Sequence, residues 1–277
     1  MMEEMRLRFP PSPTGKIHIG NMRTALFNWL WARKNNGTLV LRIEDTDLER
    51  STKEFEDIII KELNWLGLDV DEGVGVGGEY GPYRQSERVE IYREYADKLL
   101  AEGKAYYCYC TPEELQEMRE AAARKGEMPR YNGHCRNLSP EEEEEYIKAG
   151  RKPVIRFKIP GQEQEIVLND LIRGEIKFSP DVLDDFIIFK SDGMPTYNFA
   201  VVIDDALMKI SQVIRGEDHI SNTPKQILLY KALGFPVPEF AHLPLILDEN
   251  RAKLKKRSDS DAIYVGEFRQ KGYLPEA

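Results

Sequence analysis

The run Pro11-Ser12-Pro13-Thr14-Gly15-Lys16-Ile17-His18-Ile19-Gly20-Asn21 combines a histidine, two glycines and two prolines between a short apolar stretch and a helical one. A strand-to-helix loop of this kind presents free backbone N–H groups and the positive helix end to an anion, with an imidazole at the helix mouth. It is not a P-loop, because Gly15-Lys16 has no glycine five residues earlier and no Ser or Thr after it. At the far end of the chain, Arg251 to Arg257 holds five basic residues in seven. Cys108-x-Cys110 with Cys135 offers three thiolates, enough for three corners of a tetrahedral zinc site. The fourth position is open: His134 is the ordinary donor there, and Tyr131 an unusual one. Three buried reduced cysteines are the plainer reading. Asp204-Asp205 could mimic a metal pair, but a capping or structural role is preferred, and Glu141 to Glu145 reads as a solvated helix face.

The elements that must position these groups follow from periodicity. Leu7-Arg8-Phe9 reads as a strand, Met22 to Arg33 as a helix ending at Asn35-Asn36-Gly37, and Thr38 to Ile43 as a second strand. Thr52 to Leu66 and Glu87 to Ala101 are helical, separated by a glycine-rich loop. Alternating strands and helices favour a parallel sheet. Composition shifts at Tyr106. Thr111-Pro112-Glu113-Glu114 and Ser139-Pro140-Glu141-Glu142 are helix starts with a capping residue, Pro in the first turn and Glu three after the cap. Val154 to Ile159 and Glu165 to Leu168 read as β-hairpins, and the α/β pattern resumes after Phe186-Ile187-Ile188-Phe189. The division expected is 1–105 and 181–250 as two halves of one α/β domain, 106–180 as an insertion and 251–277 as a basic loop with the start of a further region.

The totals fit a soluble globular protein: 277 residues, 41% hydrophobic and 31% charged. The net charge of −9 argues weakly against a nucleic-acid partner, although clustering of basic residues matters more than their sum. No 18-residue apolar run exists and no apolar stretch follows Met1-Met2-Glu3-Glu4, so neither a membrane span nor a signal peptide is expected. An odd number of cysteines suits a reducing cytoplasm.

Ser12-Pro13-Thr14-Gly15 with His18-Ile19-Gly20-Asn21 resembles the HIGH motif of class I aminoacyl-tRNA synthetases, with Asn in place of the last His. Leu41-Arg42-Ile43-Glu44-Asp45-Thr46-Asp47 and Arg215-Gly216-Glu217-Asp218-His219 are similar to segments of glutamyl-tRNA synthetases. Lys253-Leu254-Lys255-Lys256-Arg257 resembles their KMSKS-type loop, with Lys255 where Ser is usual. The resemblance spans residues 6 to 277 in order.

It implies a Rossmann-type parallel-sheet catalytic domain with an inserted α+β connective domain. It also implies activation of glutamate by ATP with Mg2+ and transfer to tRNA(Glu). The carboxylate is the nucleophile in that chemistry, so the protein's task is to position and neutralise charge. Thr14, Gly15, His18, Gly20, Asn21, Lys253, Lys256 and Arg257 are the implied ATP residues, with His18, Lys253 and Lys256 carrying catalysis. Gly15 and Gly20 would let the nucleotide approach the backbone. Arg8, Ser12, Glu44, Tyr197 and Arg215 are implied for glutamate: Arg215 for the α-carboxylate, Glu44 for the ammonium and Arg8 for the side chain. The pattern Cys-x-Cys…Tyr-x3-Cys resembles the zinc site of some family members, which implies Cys108, Cys110, Tyr131 and Cys135 as structural ligands.

The end at Leu274-Pro275-Glu276-Ala277 reads as a catalytic region cut before the stem-contact and anticodon-binding parts, in a monomer. A glutamyl-queuosine-tRNA(Asp) synthetase fits the length better. Thr24 to Trp29 and Glu44 to Ser51 fit the glutamyl enzyme better, and local sequence outweighs length. A non-catalytic paralogue has only Lys255 in its favour, and a dehydrogenase lacks G-x-G-x-x-G after Phe9.

Overall fold

The computed structural model describes residues 4–161, 165–179, 183–247 and 264–276. The chain opens with β1 (Arg6–Phe9), α1 (Ile19–Lys34) and β2 (Thr38–Leu41). Then follow α2 (Lys53–Trp65), β3 (Glu72–Gly73) and α3 (Val89–Ala101). Next come β4 (Ala105–Cys108), α4 (Pro112–Arg124), α5 (Pro140–Lys148), β5 (Val154–Phe157), β6 (Ile166–Asp170), β7 (Gly174–Phe178) and β8 (Ile187–Phe189). The last group is α6 (Tyr197–Leu207), β9 (Gln212–Gly216), α7 (Thr223–Leu233), β10 (Glu239–Leu243) and α8 (Val265–Gln270).

One parallel sheet has the order β1-β2-β3, and a second has the order β7-β6-β10-β9. In the second, β10 runs parallel to both β9 and β6, while β6 and β7 form an antiparallel hairpin. β1 lies beside β9, where the Ser211 N–H bonds the Arg6 carbonyl at 3.0 Å. From this junction the chain order runs outward both ways, β1 to β2 and β9 to β10. Such a reversal leaves a crevice beyond the carboxyl ends of the central strands.

β1 is buried along its whole length. Leu7 and Phe9 point to one face, Arg6 and Arg8 to the other, as a two-residue period requires. The arginines are tolerated because each meets an acid: Arg6 reaches Glu72 at 2.7 Å and Arg8 reaches Asp205 at 3.3 Å. α6 is buried almost all round, and Phe199, Val202 and Ile203 join Val40, Phe157, Ile188, Val213, Leu229 and Phe240 in the main core. Val265 of α8 packs instead with Phe9, Met22, Ala25, Ile59 and Leu63, beneath α1 and α2.

The segment expected as a single insertion divides in two. β4, β5 and β8 form a separate antiparallel sheet. The β6–β7 hairpin belongs to the larger sheet beside β10, so the second half-domain begins before residue 181, and β5 does not pair with β6. The reason is burial. Ile166 and Leu168 alternate inward on β6, and both join the main core. The helix starts at Thr111 and Ser139 both close full capping boxes.

Candidate active site

The crevice between β1 and β9 is a cleft of about 510 Å³, within the usual range for small-ligand sites. β1 supplies Arg8 and Phe9, the following loop Ser12 and Thr14, and α1 supplies Gly20, Asn21, Arg23 and Thr24 beside His18. Glu44, Tyr197 and Arg215 line it from other elements.

His18 caps α1. Its Nδ1 accepts the Gly20 N–H at 3.0 Å, so the neutral ring carries its proton on Nε2. A Cβ on Gly20 would stand 3.2 Å from that Nδ1. Gly20 is therefore small for the sake of the histidine ring. Gly15 has nothing within 4 Å of a built Cβ and is not among the cleft's lining residues.

Below the cleft floor lies a lattice of buried charges. Asp205 accepts from Arg42 Nη1 at 2.7 Å and from Arg8 Nε at 3.3 Å, and Arg42 Nη2 donates to Glu44 at 3.0 Å. Burial alone would push the Asp205 carboxyl up, but the charges of Arg8 and Arg42 hold it below its ordinary range. Burial outweighs Arg42 at Glu44 and pushes that carboxyl up. Asp204 accepts from Arg88 Nε at 2.7 Å, Gln85 Nε2 at 2.8 Å and the Tyr92 hydroxyl. The preferred structural reading of the two aspartates thus fits their contacts, though both sit inside α6 and neither caps it.

Arg8 Nη1 is buried and has no hydrogen-bond partner among the described residues, although Arg8 lines the cleft. Arg215 is 5% exposed, and burial lowers its pKa. Its Nη1 donates to Gln226 and its Nη2 to Thr223 Oγ1, both at 2.9 Å. Tyr197 OH lies 3.2 Å from His219 Nδ1. Burial, helped by the Arg215 charge, brings the His219 pKa down to about 4.

Lys253, Lys256 and Arg257 fall outside the described residues. The chain on either side of that segment borders the site. Pro244, Leu245 and Ile246 line the cleft, and Tyr264 forms a β-bridge with His18.

At the second cluster, the Sγ atoms of Cys108, Cys110 and Cys135 lie within 4.8 Å of one another, with Cys110 and Cys135 at 3.6 Å. The Tyr131 hydroxyl is 3.4 Å from Cys108 Sγ and 4.0 Å from Cys110 Sγ. Zinc with sulfur at about 2.3 Å and oxygen at about 2.0 Å sets tetrahedral edges of about 3.8 Å between sulfurs and about 3.5 Å from sulfur to oxygen. The Cys110–Cys135 and Cys108–Tyr131 separations are close to those edges. His134 is exposed, and its Nε2 meets Tyr146 OH at 3.1 Å. Among the described residues no other grouping of three or more His, Cys, Asp or Glu offers a metal site.

A family model described as tRNA synthetases class I (E and Q), catalytic domain, matches residues 4–277. The chain belongs to this family. As a class I synthetase catalytic domain, it is 64% identical over its whole length to glutamate–tRNA ligase 2 of Caldanaerobacter subterraneus subsp. tengcongensis, covering 56% of that protein. It is 56% identical to the glutamate–tRNA ligase of Bacillus licheniformis, covering 57% of it. The chain thus spans a little over half the length of these curated relatives. Among solved structures, a glutamate tRNA ligase from Elizabethkingia meningosepticum, in complex with its amino acid, matches at a TM-score of 0.89 and 42% identity. That match covers 99% of this chain and 59% of the other.

The synthetase domain also lines its cleft with residues given no site role from sequence: Arg23, Thr24, Asp218, His219 and Asn222. A signal for His219 existed, since it lies three residues beyond the end of a strand carrying Arg215. Among the described residues no helix is long and apolar enough to cross a membrane.

Proposed function

We propose that this chain is the activating region of a glutamate–tRNA ligase. It joins L-glutamate and ATP into glutamyl-adenylate with release of pyrophosphate, and the glutamyl group then passes to the 3′ end of tRNA(Glu). The observation that carries this reading is the convergence, in one cleft, of an amino-acid set and a nucleotide set. Arg8, Ser12, Glu44, Tyr197 and Arg215 face Thr14, His18, Gly20 and Asn21 there.

Glutamate brings two carboxylates and one ammonium. Arg8 takes the side-chain carboxylate: its buried Nη1 lacks a partner, a cost that a ligand oxygen removes. Arg215 takes the α-carboxylate, and Glu44 the ammonium. His18 donates its Nε2 proton to a phosphate oxygen at the positive end of α1. The α-carboxylate oxygen attacks the α-phosphorus, the bond to pyrophosphate breaks, and negative charge moves onto the leaving group. Lys253, with Lys256 and Arg257, follows that charge, and Lys256 makes the main contact. Both ends of their segment border the cleft, which supports that assignment. Mg2+ bound with ATP would neutralise phosphate charge.

Zinc held by Cys108, Cys110, Tyr131 and Cys135 would be structural, since protein donors fill all four positions. The cysteines are free thiols, in keeping with a reducing cytoplasm. We take the protein to act as a monomer.

Calorimetric titration of the chain with L-glutamate, L-glutamine and L-aspartate tests the amino-acid half. Glutamate binds most tightly, and Arg8→Ala abolishes that preference. Equal affinity for glutamate and glutamine would refute the assignment of Arg8 and with it this function.

A further inference from the structure

Arg215 sits on β9, and its register partner on β10 is His242. That histidine is fully buried and is not among the cleft's lining residues. Its Nε2 lies 3.0 Å from Arg215 Nε, and its Nδ1 lies 2.6 Å from Asp170 Oδ2 at the end of β6. A guanidinium Nε–H only donates, so His242 Nε2 must accept. The ring proton is therefore on Nδ1, and Asp170 receives it.

The second oxygen of Asp170 is committed elsewhere. Oδ1 accepts the N–H groups of Ile172 at 3.0 Å and Arg173 at 2.9 Å, and the His242 N–H reaches both oxygens at 3.3 and 3.2 Å. The carboxylate is thus fixed with Oδ2 facing the imidazole. Three strand ends join in a line: carboxylate, neutral imidazole, guanidinium. The two Nη atoms of Arg215 are held separately by Gln226 and Thr223, so the contact from His242 fixes the remaining edge of the fork.

We propose that Asp170 and His242 are positioning residues for Arg215. They hold one imidazole tautomer, and through it the guanidinium plane that receives the substrate carboxylate. This inference rests on the reading of Arg215 as a carboxylate contact. It is a role in orientation, as seen when a buried carboxylate selects the tautomer of a catalytic histidine.

The arrangement distinguishes substitutions of similar size. In Asp170→Asn the remaining oxygen is needed by the Ile172 and Arg173 N–H groups, so the amide nitrogen faces His242 Nδ1. The ring then carries its proton on Nε2, donor against donor with Arg215. His242→Gln places an amide oxygen near the old Nε2 position and keeps an acceptor for Arg215. His242→Asn reaches only as far as Nδ1, keeps Asp170 and abandons Arg215.

Two measurements on the chain test this. Nitrogen-15 NMR of the imidazoles reports the tautomer of His242 with no ligand present: Nδ1–H in the parent, Nε2–H in Asp170→Asn. Calorimetry with L-glutamate reports the consequence. His242→Gln stays within about threefold of the parent Kd, while His242→Asn and Asp170→Asn weaken binding by about tenfold or more. Thermal midpoints of His242→Gln and His242→Asn are close, so a merely structural role would move both affinities together. An Nε2–H tautomer in the parent, or equal affinities for the Gln and Asn variants, overturns the inference. If the parent fails to bind glutamate, it is the reading of the cleft that falls. Should the variants not fold, the tautomer of the parent decides.

Discussion

The Nδ1 of His18 accepts the backbone N–H of Gly20 at 3.0 Å, which makes the imidazole both the cap of α1 and a wall of the cleft. Gly20→Ala brings a Cβ to 3.2 Å from that nitrogen, so the ring must shift by a few tenths of an ångström. Alanine in place of a helical glycine favours the helix by up to about 1 kcal/mol. We expect the variant to melt no lower than the parent while losing glutamate-dependent ATP–pyrophosphate exchange. A lower melting temperature with unchanged exchange would refute the link between cap and site.

Asp205 is shared by two buried arginines, and removing it leaves their charges uncompensated. Loss of one member of a buried pair costs about 3–5 kcal/mol. Asp205→Asn keeps the shape and loses the charge, and it should fall near the lower end. Urea denaturation followed by tryptophan fluorescence measures this, and a loss of less than about 1 kcal/mol would place the lattice among weak ion pairs.

Acid should weaken the fold through its buried histidines before the lowered carboxyls of Asp170 and Asp205 titrate, with the raised Glu44 carboxyl opposing the trend. Burial holds His219 and His242 below the ordinary histidine pKa, His219 at about 4. Tyr197, Arg215, Asp218, Arg8 and His242 are the groups that face His219. Between about 6.5 and the folded value the unfolded chain binds more protons, so stability is full above that window and falls as pH drops through it. The lowered carboxyls of Asp170 and Asp205 act only below their ordinary range. The urea midpoint should therefore decline from about pH 7 to about pH 5, less steeply in His219→Gln. A midpoint that holds steady or rises over that interval contradicts the histidine assignment.

Metal content tests the thiol cluster. The chain purified without chelator should carry about one zinc per molecule, and Cys135→Ala should lose it, because one corner of the tetrahedron is gone. Tyr131→Phe should weaken zinc retention, whereas His134→Ala should not. Elemental analysis after dialysis gives the answer, and unchanged zinc in Cys135→Ala would dismiss the site.

Local rules made much of this architecture readable. Thr111 and Ser139 announce their helices because a cap, a proline and a glutamate act within one turn. The Ser12–Asn21 loop is legible for the same reason, since a strand, a loop and a helix mouth are contiguous. What escaped sequence reasoning depends on partners far along the chain. Nothing near Ile166 tells it to pair beside β10 instead of β5. Asp170 and His242 are 72 residues apart, and neither stands in a recognisable motif. Asp204 and Asp205 read only as a metal-pair mimic or as capping or structural acids until Arg8 of β1, Arg42 just after β2 and Arg88 just before α3 meet them inside. His219 was named only as part of a pattern, because its place beside Tyr197 depends on how α6 and β9 pack.

The lattice beneath the cleft contains Arg8, Arg42 and Arg88 against Glu44, Asp204 and Asp205. Formally it is neutral, three charges against three, and all six side chains are buried. Dissolved ions cannot enter such a lattice, and screening over about 8 Å at physiological ionic strength belongs to water, not to the protein interior. Selection of the amino acid should therefore be indifferent to added salt, while grip on a phosphate chain at the open side of the same cleft should slacken with it.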